Sequence, residues 1–273
     1  MPSSARPDDR YAAFRHSSYL RFFGARFATS FASQIVSVSV GWQVYDLTRN
    51  PFDLGLVGLV QFAPALLLVL VTGAVSDRFG RRLIMGLAIT VEALCALALL
   101  LLTLRGLTNV VHVFLVLAVF GTARAFFSPA SSSLVANLVP PEDFANAVAW
   151  NSSAWQVATI VGPVAGGLLY GISPEAAYTV ATAMMGLAAL LIFSIPKPAQ
   201  HYERESSGLG SLFAGFSYIR SEKVVLGAIS LDLFAVLLSG AIALLPVYAR
   251  DILELGPWGL GMLRSAPGLG AVC

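Results

Sequence analysis

The stretch Gly73-Ala74-Val75-Ser76-Asp77-Arg78-Phe79-Gly80-Arg81-Arg82 decides how this chain of 273 residues is read. It sets four charges and a turn-forming glycine between two long apolar runs. The gap is too short to hold a domain. Two apolar runs joined by so few residues make an antiparallel helical hairpin, and the cationic connection fixes the side of a membrane on which the hairpin opens.

The rest of the chain agrees with that reading. Its composition is 57% hydrophobic and 12% charged, against about 25% charged residues in soluble domains. Spans are expected at 22–47, 54–76, 83–104, 110–136, 144–170 and 176–195, each with the roughly 20 residues needed to cross a hydrocarbon core. Pro64, Pro129 and Pro163 fall inside spans, which membrane helices tolerate when neighbours satisfy the freed carbonyls. Residues 1–21 form a polar tail, expected to be mobile up to about Ser17. Residues 196–223 form a polar linker in which Leu209, Leu212, Phe213 and Phe216 are spaced as a short surface helix. Residues 224–273 hold a seventh span (224–247) and an apolar stretch starting near Pro257 that falls short of a full crossing. The two cysteines, Cys95 and Cys273, make neither a disulfide framework nor a metal set.

Orientation follows from the cations. With the N-terminus inside, the inner segments hold Arg6, Arg10, Arg15, Arg21, Arg78, Arg81, Arg82, Lys197, Arg204, Arg220 and Lys223. The outer loops hold only Arg49, Arg105 and Arg250. That asymmetry places the N-terminus in the cytoplasm and the chain in the plasma (inner) membrane as a multi-pass protein. Arg26, Arg124 and Arg264 fall within or at the edge of spans.

Gly73-x-x-x-Asp77-Arg78-x-Gly80-Arg81-Arg82 resembles the signature between the second and third helices of the major facilitator superfamily of transporters. Six spans, a long linker and further spans resemble the same plan, in which two six-helix halves are parallel repeats. The resemblance implies an all-α membrane fold: an N-terminal six-helix bundle and the beginning of the C-terminal one, in a truncated chain. It also implies that Asp77 and Arg78 latch against the second half. On the fifth span, Ala154, Ala158, Gly162 and Gly166 form a stripe of small residues suited to close helix contact. Gly162-Pro163-x-x-Gly166-Gly167 is similar to the fifth-helix motif of exporters in the superfamily, with Ala158 standing where the family has a further glycine. The runs 125–130, 138–140, 145–147 and 245–251 resemble the branch that exports drugs, macrolides and siderophores. Generic small-residue packing also accounts for the stripe, though not for the Gly-Pro pair.

Ionisable residues within spans are costly and are functional candidates by default. Arg124 in the fourth span loosely resembles the fourth-helix arginine associated with proton coupling. Asp232 in the seventh is a candidate carrier of the exchangeable proton, with a structural role as the alternative. Glu92 is a third candidate; its helix is peripheral in the family, and a buried structural hydrogen bond is the expectation there. Ser30, Ser33, Gln34, Ser37 and Gly41 gather on one side of the first span. With Asn151, Trp155 and Gln156 of the fifth, they are substrate-cavity candidates, or alternatively polar groups packed between helices.

His16, His112 and His201 are scattered, and no paired-histidine, nucleophile-elbow or phosphate-loop motif is present. The basic residues flank the membrane and do not form a nucleic-acid patch. No enzyme, metal or cofactor is expected; the partners are the lipid bilayer, a small-molecule substrate and protons. The reading is a proton-coupled secondary active exporter of an amphipathic small molecule. The alternatives are an uptake carrier of the same fold, a non-transporting fragment and a seven-helix receptor; the cytoplasmic N-terminus argues against the receptor. With most of the second half missing, the fifth-helix stripe is expected to lack partners, and the chain alone is expected not to transport.

Overall fold

The computed structural model describes residues 9–196 and 239–271, with positions 224, 226, 227, 230 and 231 between them. Six long helices come first: α1 (Ser17–Thr48), α2 (Pro51–Phe79), α3 (Arg81–Leu104), α4 (Val110–Leu134), α5 (Pro141–Ile172) and α6 (Pro174–Phe193). A distorted segment, with a 3-10 stretch at Ser239–Leu244, a short helix at Leu245–Val247 and a π turn at Tyr248–Ile252, leads to α7 (Pro257–Gly270). The linker helix, Asp232 and nine other positions of the seventh span lie outside the described residues.

Local chemistry sets the starts of these helices. Asn50 and Asn109 accept from the backbone N–H groups of Phe52 and Val111 at 3.1 and 2.9 Å. Ser173 accepts from Ala176 N–H at 3.0 Å. Such caps satisfy amides that have no intrahelical partner. Pro51, Pro141, Pro174 and Pro257 occupy first-turn positions, where a missing N–H costs nothing. Pro64, Pro129 and Pro163 lie inside their helices, as the sequence predicts.

Among the described residues, α2 to α6 are long and apolar enough to cross a membrane. The polar stripe of α1 lowers its hydropathy, although its 32 residues exceed the length of a span. Large apolar side chains, including Leu67 at 78% and Leu190 at 69% exposure, face outward from the bundle. Lipid is the surrounding that such a surface fits.

Helix α1 packs against α5 and α6, α3 against α4 and α6, α2 against α4, and α7 against α5. Tyr19, Ile35, Met85, Leu117, Tyr178 and Met185 are fully buried between them. One polar chain crosses this core without an unmet partner: the Tyr178 hydroxyl donates to Gln43 Oε1 at 2.7 Å, and Gln43 Nε2 donates to Thr103 Oγ1 at 2.9 Å. It ties α6, α1 and α3 in one register.

Two expectations are corrected here. The charged stretch is not a loop: α2 runs on to Phe79, and Gly80 alone turns the chain into α3, at φ 88°. Only glycine adopts that backbone without strain. The tail is docked from Asp9 onward. Trp150 Nε1 and Asn146 Nδ2 donate to Arg10 O at 2.8 and 3.0 Å, His16 Nε2 lies 2.9 Å from Asp143 Oδ2, and Tyr11 stacks on Trp150. Its aromatic residues give the tail apolar area to bury, which charge alone does not reveal.

Candidate functional site

A cavity of about 690 Å³ opens between α1, α2 and α4 on one side and the Ser239–Val247 segment and α7 on the other. Its walls are largely apolar, with Leu54, Val57 and Phe62 from α2, Pro129 from α4 and Ile242 from the later segment. Polar groups are few: Ser37, Gln61, Thr72, Ser128, Arg124 and Arg264. A second cavity of about 330 Å³ adjoins it, sharing Arg124 and Ser128 and adding Arg26, Ser30, Ser131, Ser152 and Trp155. The larger has the concave, mostly apolar form of small-molecule sites, with a small number of convergent polar groups, whereas the smaller is lined mainly by arginine and serine.

Close backbone contacts hold this geometry. A Cβ on Gly121 would stand 2.4 Å from Gln61 O, so α4 and α2 touch main chain to main chain beside the cavity. On α5, Cβ atoms on Gly162 and Gly166 would meet Gln34 and Ile35 of α1 at 2.7 and 2.9 Å. A Cβ on Gly167 would meet Pro257 O at 2.4 Å, and one on Gly261 would meet Pro163 O at 2.4 Å. The fifth-helix stripe thus serves two neighbours, α1 and α7. This corrects the expectation that it lacks partners: α7 supplies them, because its own small residue Gly261 lets the backbones approach.

Polar side chains at the end of α1 and before α7 form a clasp. Arg250 pairs with Asp46 and lies over the Trp42 ring at 5.3 Å. The Tyr45 hydroxyl donates to the Asp251 carboxylate, which also lies 4.0 Å from Arg49 Nη1. The clasp joins the end of α1 to the turn before α7. The π turn at Tyr248–Ile252 presents Arg250 and Asp251 together.

The ionisable residues inside the bundle are unevenly provided for. Arg26 Nη1 donates to Ser131 Oγ at 2.8 Å. Glu92 is fully buried on α3, electrostatically coupled to Arg124, and neither of its carboxyl oxygens has a hydrogen-bond partner. The hydrogen bond expected for Glu92 is therefore absent among the described residues. Asn151 Oδ1 and Ser33 Oγ are likewise buried without partners.

A family model described as "Major Facilitator Superfamily" matches residues 22–273. The chain belongs to the major facilitator superfamily. It is 25% identical over 247 residues to the uncharacterized MFS-type transporter YkuC of Bacillus subtilis, covering 86% of this chain and 57% of YkuC. It is also 25% identical over 269 residues to the enterobactin exporter EntS of Shigella boydii, covering 94% of this chain and 62% of EntS. The chain thus spans about three-fifths of the length of these relatives. Among solved structures, a bacterial homologue of the human lysosomal transporter Spinster, inward-facing and unoccupied, superposes with a TM-score of 0.73 at 15% identity. That match covers 96% of this chain and 60% of the homologue and shows a shared fold.

Arg81 and Arg82 of the charged stretch reach the ends of neighbouring helices. Arg81 Nη1 donates to Ser133 O at 3.2 Å, at the end of α4. Arg82 Nε donates to Ile192 O at 3.2 Å and its Nη2 to Phe193 O, at the end of α6. Each guanidinium meets the negative end of a helix, where a cation contributes about 0.3–1 kcal/mol. Gly73 lies within α2, as do Asp77 and Arg78, whose side chains are outside the described part of the structure.

The cavity candidates divide. Ser30, Ser37 and Trp155 line the two cavities, and Gly41 joins them. Gln34 packs against Gly162 in the α1–α5 seam, Asn151 is buried, and Gln156 Nε2 donates to Gly268 O of α7 at 2.9 Å. Ala158 is fully buried in α5. Gln61, Thr72, Ser128 and Ser152 were not legible as cavity residues, since isolated polar residues in an apolar helix carry no direction by themselves. Arg26 and Arg264 had a usable signal: each is a cation within or beside a span.

Proposed function

We propose that the chain forms the N-terminal half, and the start of the second half, of a proton-coupled secondary active exporter of amphipathic small molecules. It would stand in the plasma (inner) membrane with a cytoplasmic N-terminus, and would carry its substrate by alternating access. The observation that carries this reading is the cavity of about 690 Å³, walled by α1, α2 and α4 of the first half and by the Ser239–Val247 segment and α7 of the second. In this fold the substrate site lies at the interface of the repeats, and rocking of one half against the other exposes it to each side in turn. The smooth α5 surface, touching α1 and α7 through glycines, suits that movement.

Export is favoured by the resemblance of the fifth-helix motif and by the likeness to a protein named as an enterobactin exporter. Proton coupling rests on Arg124, Glu92 and Asp232. Arg124 stands on the cavity wall, Glu92 is an unpartnered buried carboxyl group beside it, and Asp232 is an intramembrane carboxyl in the sequence. Intramembrane ionisable groups of this kind mark ion and substrate pathways.

Everted membrane vesicles that carry this chain together with a separately supplied second half, energised by a pH gradient, test the proposal. Asp232→Asn is expected to insert and bind substrate but to lose proton-driven accumulation, and Arg124→Ala to lose both binding and accumulation. Normal accumulation by Asp232→Asn would remove Asp232 from the coupling mechanism; a loss in Glu92→Gln alone would move that role to Glu92.

A further inference from the structure

Among the described residues the charge of the two cavities is one-sided. Arg124 stands on their shared wall, Arg264 reaches the larger one from α7, and Arg26 reaches the smaller one from α1. No carboxylate lines either cavity among the described residues. Arg26 has Ser131 as a partner, whereas Arg124 and Arg264 make no hydrogen bond or ion pair among the described residues. The Arg264 guanidinium lies against α1, with Nη1 3.9 Å from where a Cβ on Gly41 would stand. Glu92 reaches Arg124 electrostatically, but it is sealed within the bundle and is not part of the wall. Even a fully ionised Glu92 leaves the cavities with more positive than negative charge.

A guanidinium held away from bulk water is costly unless an anion and hydrogen-bond acceptors meet it. Its planar fork fits carboxylate, phosphate and sulfonate oxygens in pairs. The remaining wall, from Leu54 through Phe62 to Pro129 and Ile242, is suited to an apolar body.

We propose that the larger cavity binds an amphipathic organic anion, its acidic head between Arg124 and Arg264 and its apolar body against α2 and Pro129. This rests on the reading of the cavity as the substrate site and adds the charge of the substrate. The same chemistry is offered by a soluble organic acid and by an anionic lipid headgroup; the proposal commits to the soluble acid.

The test uses the 273-residue chain in phosphatidylcholine nanodiscs and a matched pair of fluorescent probes. One is the anion 8-anilinonaphthalene-1-sulfonate; the other is neutral N-phenyl-1-naphthylamine, which has the same aromatic body. Binding is measured against protein-free discs. The anion is expected to bind saturably, and Arg124→Gln and Arg264→Gln are each expected to weaken it at least about tenfold, equivalent to about 1.4 kcal/mol. The neutral probe should change by less than about twofold, since it forms no charge-assisted hydrogen bond. Arg124→Lys should bind the anion better than Arg124→Gln. Ala125→Asp, which keeps both arginines and places a carboxylate on the same wall, should also abolish anion binding while sparing the neutral probe. This variant decides the question if the glutamine variants fail to insert. Unchanged anion binding in the variants, or equal losses for both probes, would overturn the proposal. Displacement of the anion by phosphatidylglycerol in the disc would overturn the assignment to a soluble acid. Because the readout is equilibrium binding, its failure is distinguishable from a failure of export or of proton coupling, which the vesicle assay measures.

Discussion

Replacing Gly121 by alanine is expected to force α2 away from α4. The added Cβ would stand 2.4 Å from Gln61 O, 2.9 Å from its Cα and 3.0 Å from its carbonyl carbon. Ordinary contact begins at 3.4 Å, so the nearest atom is too close by 1.0 Å. The obstructing atoms are backbone, so no rotamer change relieves the contact and one helix must shift. Overpacking of this kind costs about 1–3 kcal/mol. Alanine recovers about 0.5–1 kcal/mol through its better helix propensity, which leaves a net loss of up to about 2.5 kcal/mol. Gly186→Ala in α6 is the control, since a Cβ there meets nothing within 4 Å and only the propensity gain of about 0.5–1 kcal/mol applies. The propensity gain is common to both, so the two variants should differ by the overpacking cost of about 1–3 kcal/mol, at about 2–4 °C per kcal/mol for a chain of this size. Thermal unfolding in detergent, followed by circular dichroism at one scan rate, measures this. Gly121→Ala melting at or above Gly186→Ala would refute the close α2–α4 contact. The same displacement should widen the cavity, because Gly121 and Gln61 both line it.

The orientation is tested by cysteine labelling in a background without Cys95 and Cys273. A cysteine at Thr108, which is exposed, should react with an impermeant maleimide from outside, and one at Phe79, 56% exposed, should not. The reverse pattern would invert the topology. At the clasp, the Asp46 and Arg250 side chains are 48% and 23% exposed, so their pair is worth about 1 kcal/mol or less. Asp46→Asn should raise the labelling rate of a cysteine at Ser37 by no more than about fivefold, and the double exchange Asp46→Arg with Arg250→Asp should restore the original rate. A double exchange that labels like the single variant would show that the pair does not restrict access to Ser37.

The sequence by itself determined the class and most of the element plan. Apolar runs long enough for a bilayer, interrupted by cations, admit few structures other than crossing helices, because every backbone group must be satisfied within the segment. It also singled out Arg124 and Glu92, since charge inside an apolar run is visible without coordinates. It misjudged features that depend on what lies opposite. The charged stretch read as a loop, yet Asp77 and Arg78 continue α2 and only Gly80 turns. The tail read as mobile, yet Trp150 and Asn146, more than 130 positions later, hold it. Gln156 read as a cavity residue, yet its amide reaches Gly268 on α7. Direction around a helix is set by packing, and among small or isolated polar residues no periodic pattern records it. Tertiary structure alone therefore decided that Gly162 and Gly166 face α1 while Gly167 faces α7. It alone brought Arg124 and Arg264, 140 positions apart, to one cavity, because the close approach of glycine-bearing backbones, invisible in a linear sequence, sets which helices are neighbours.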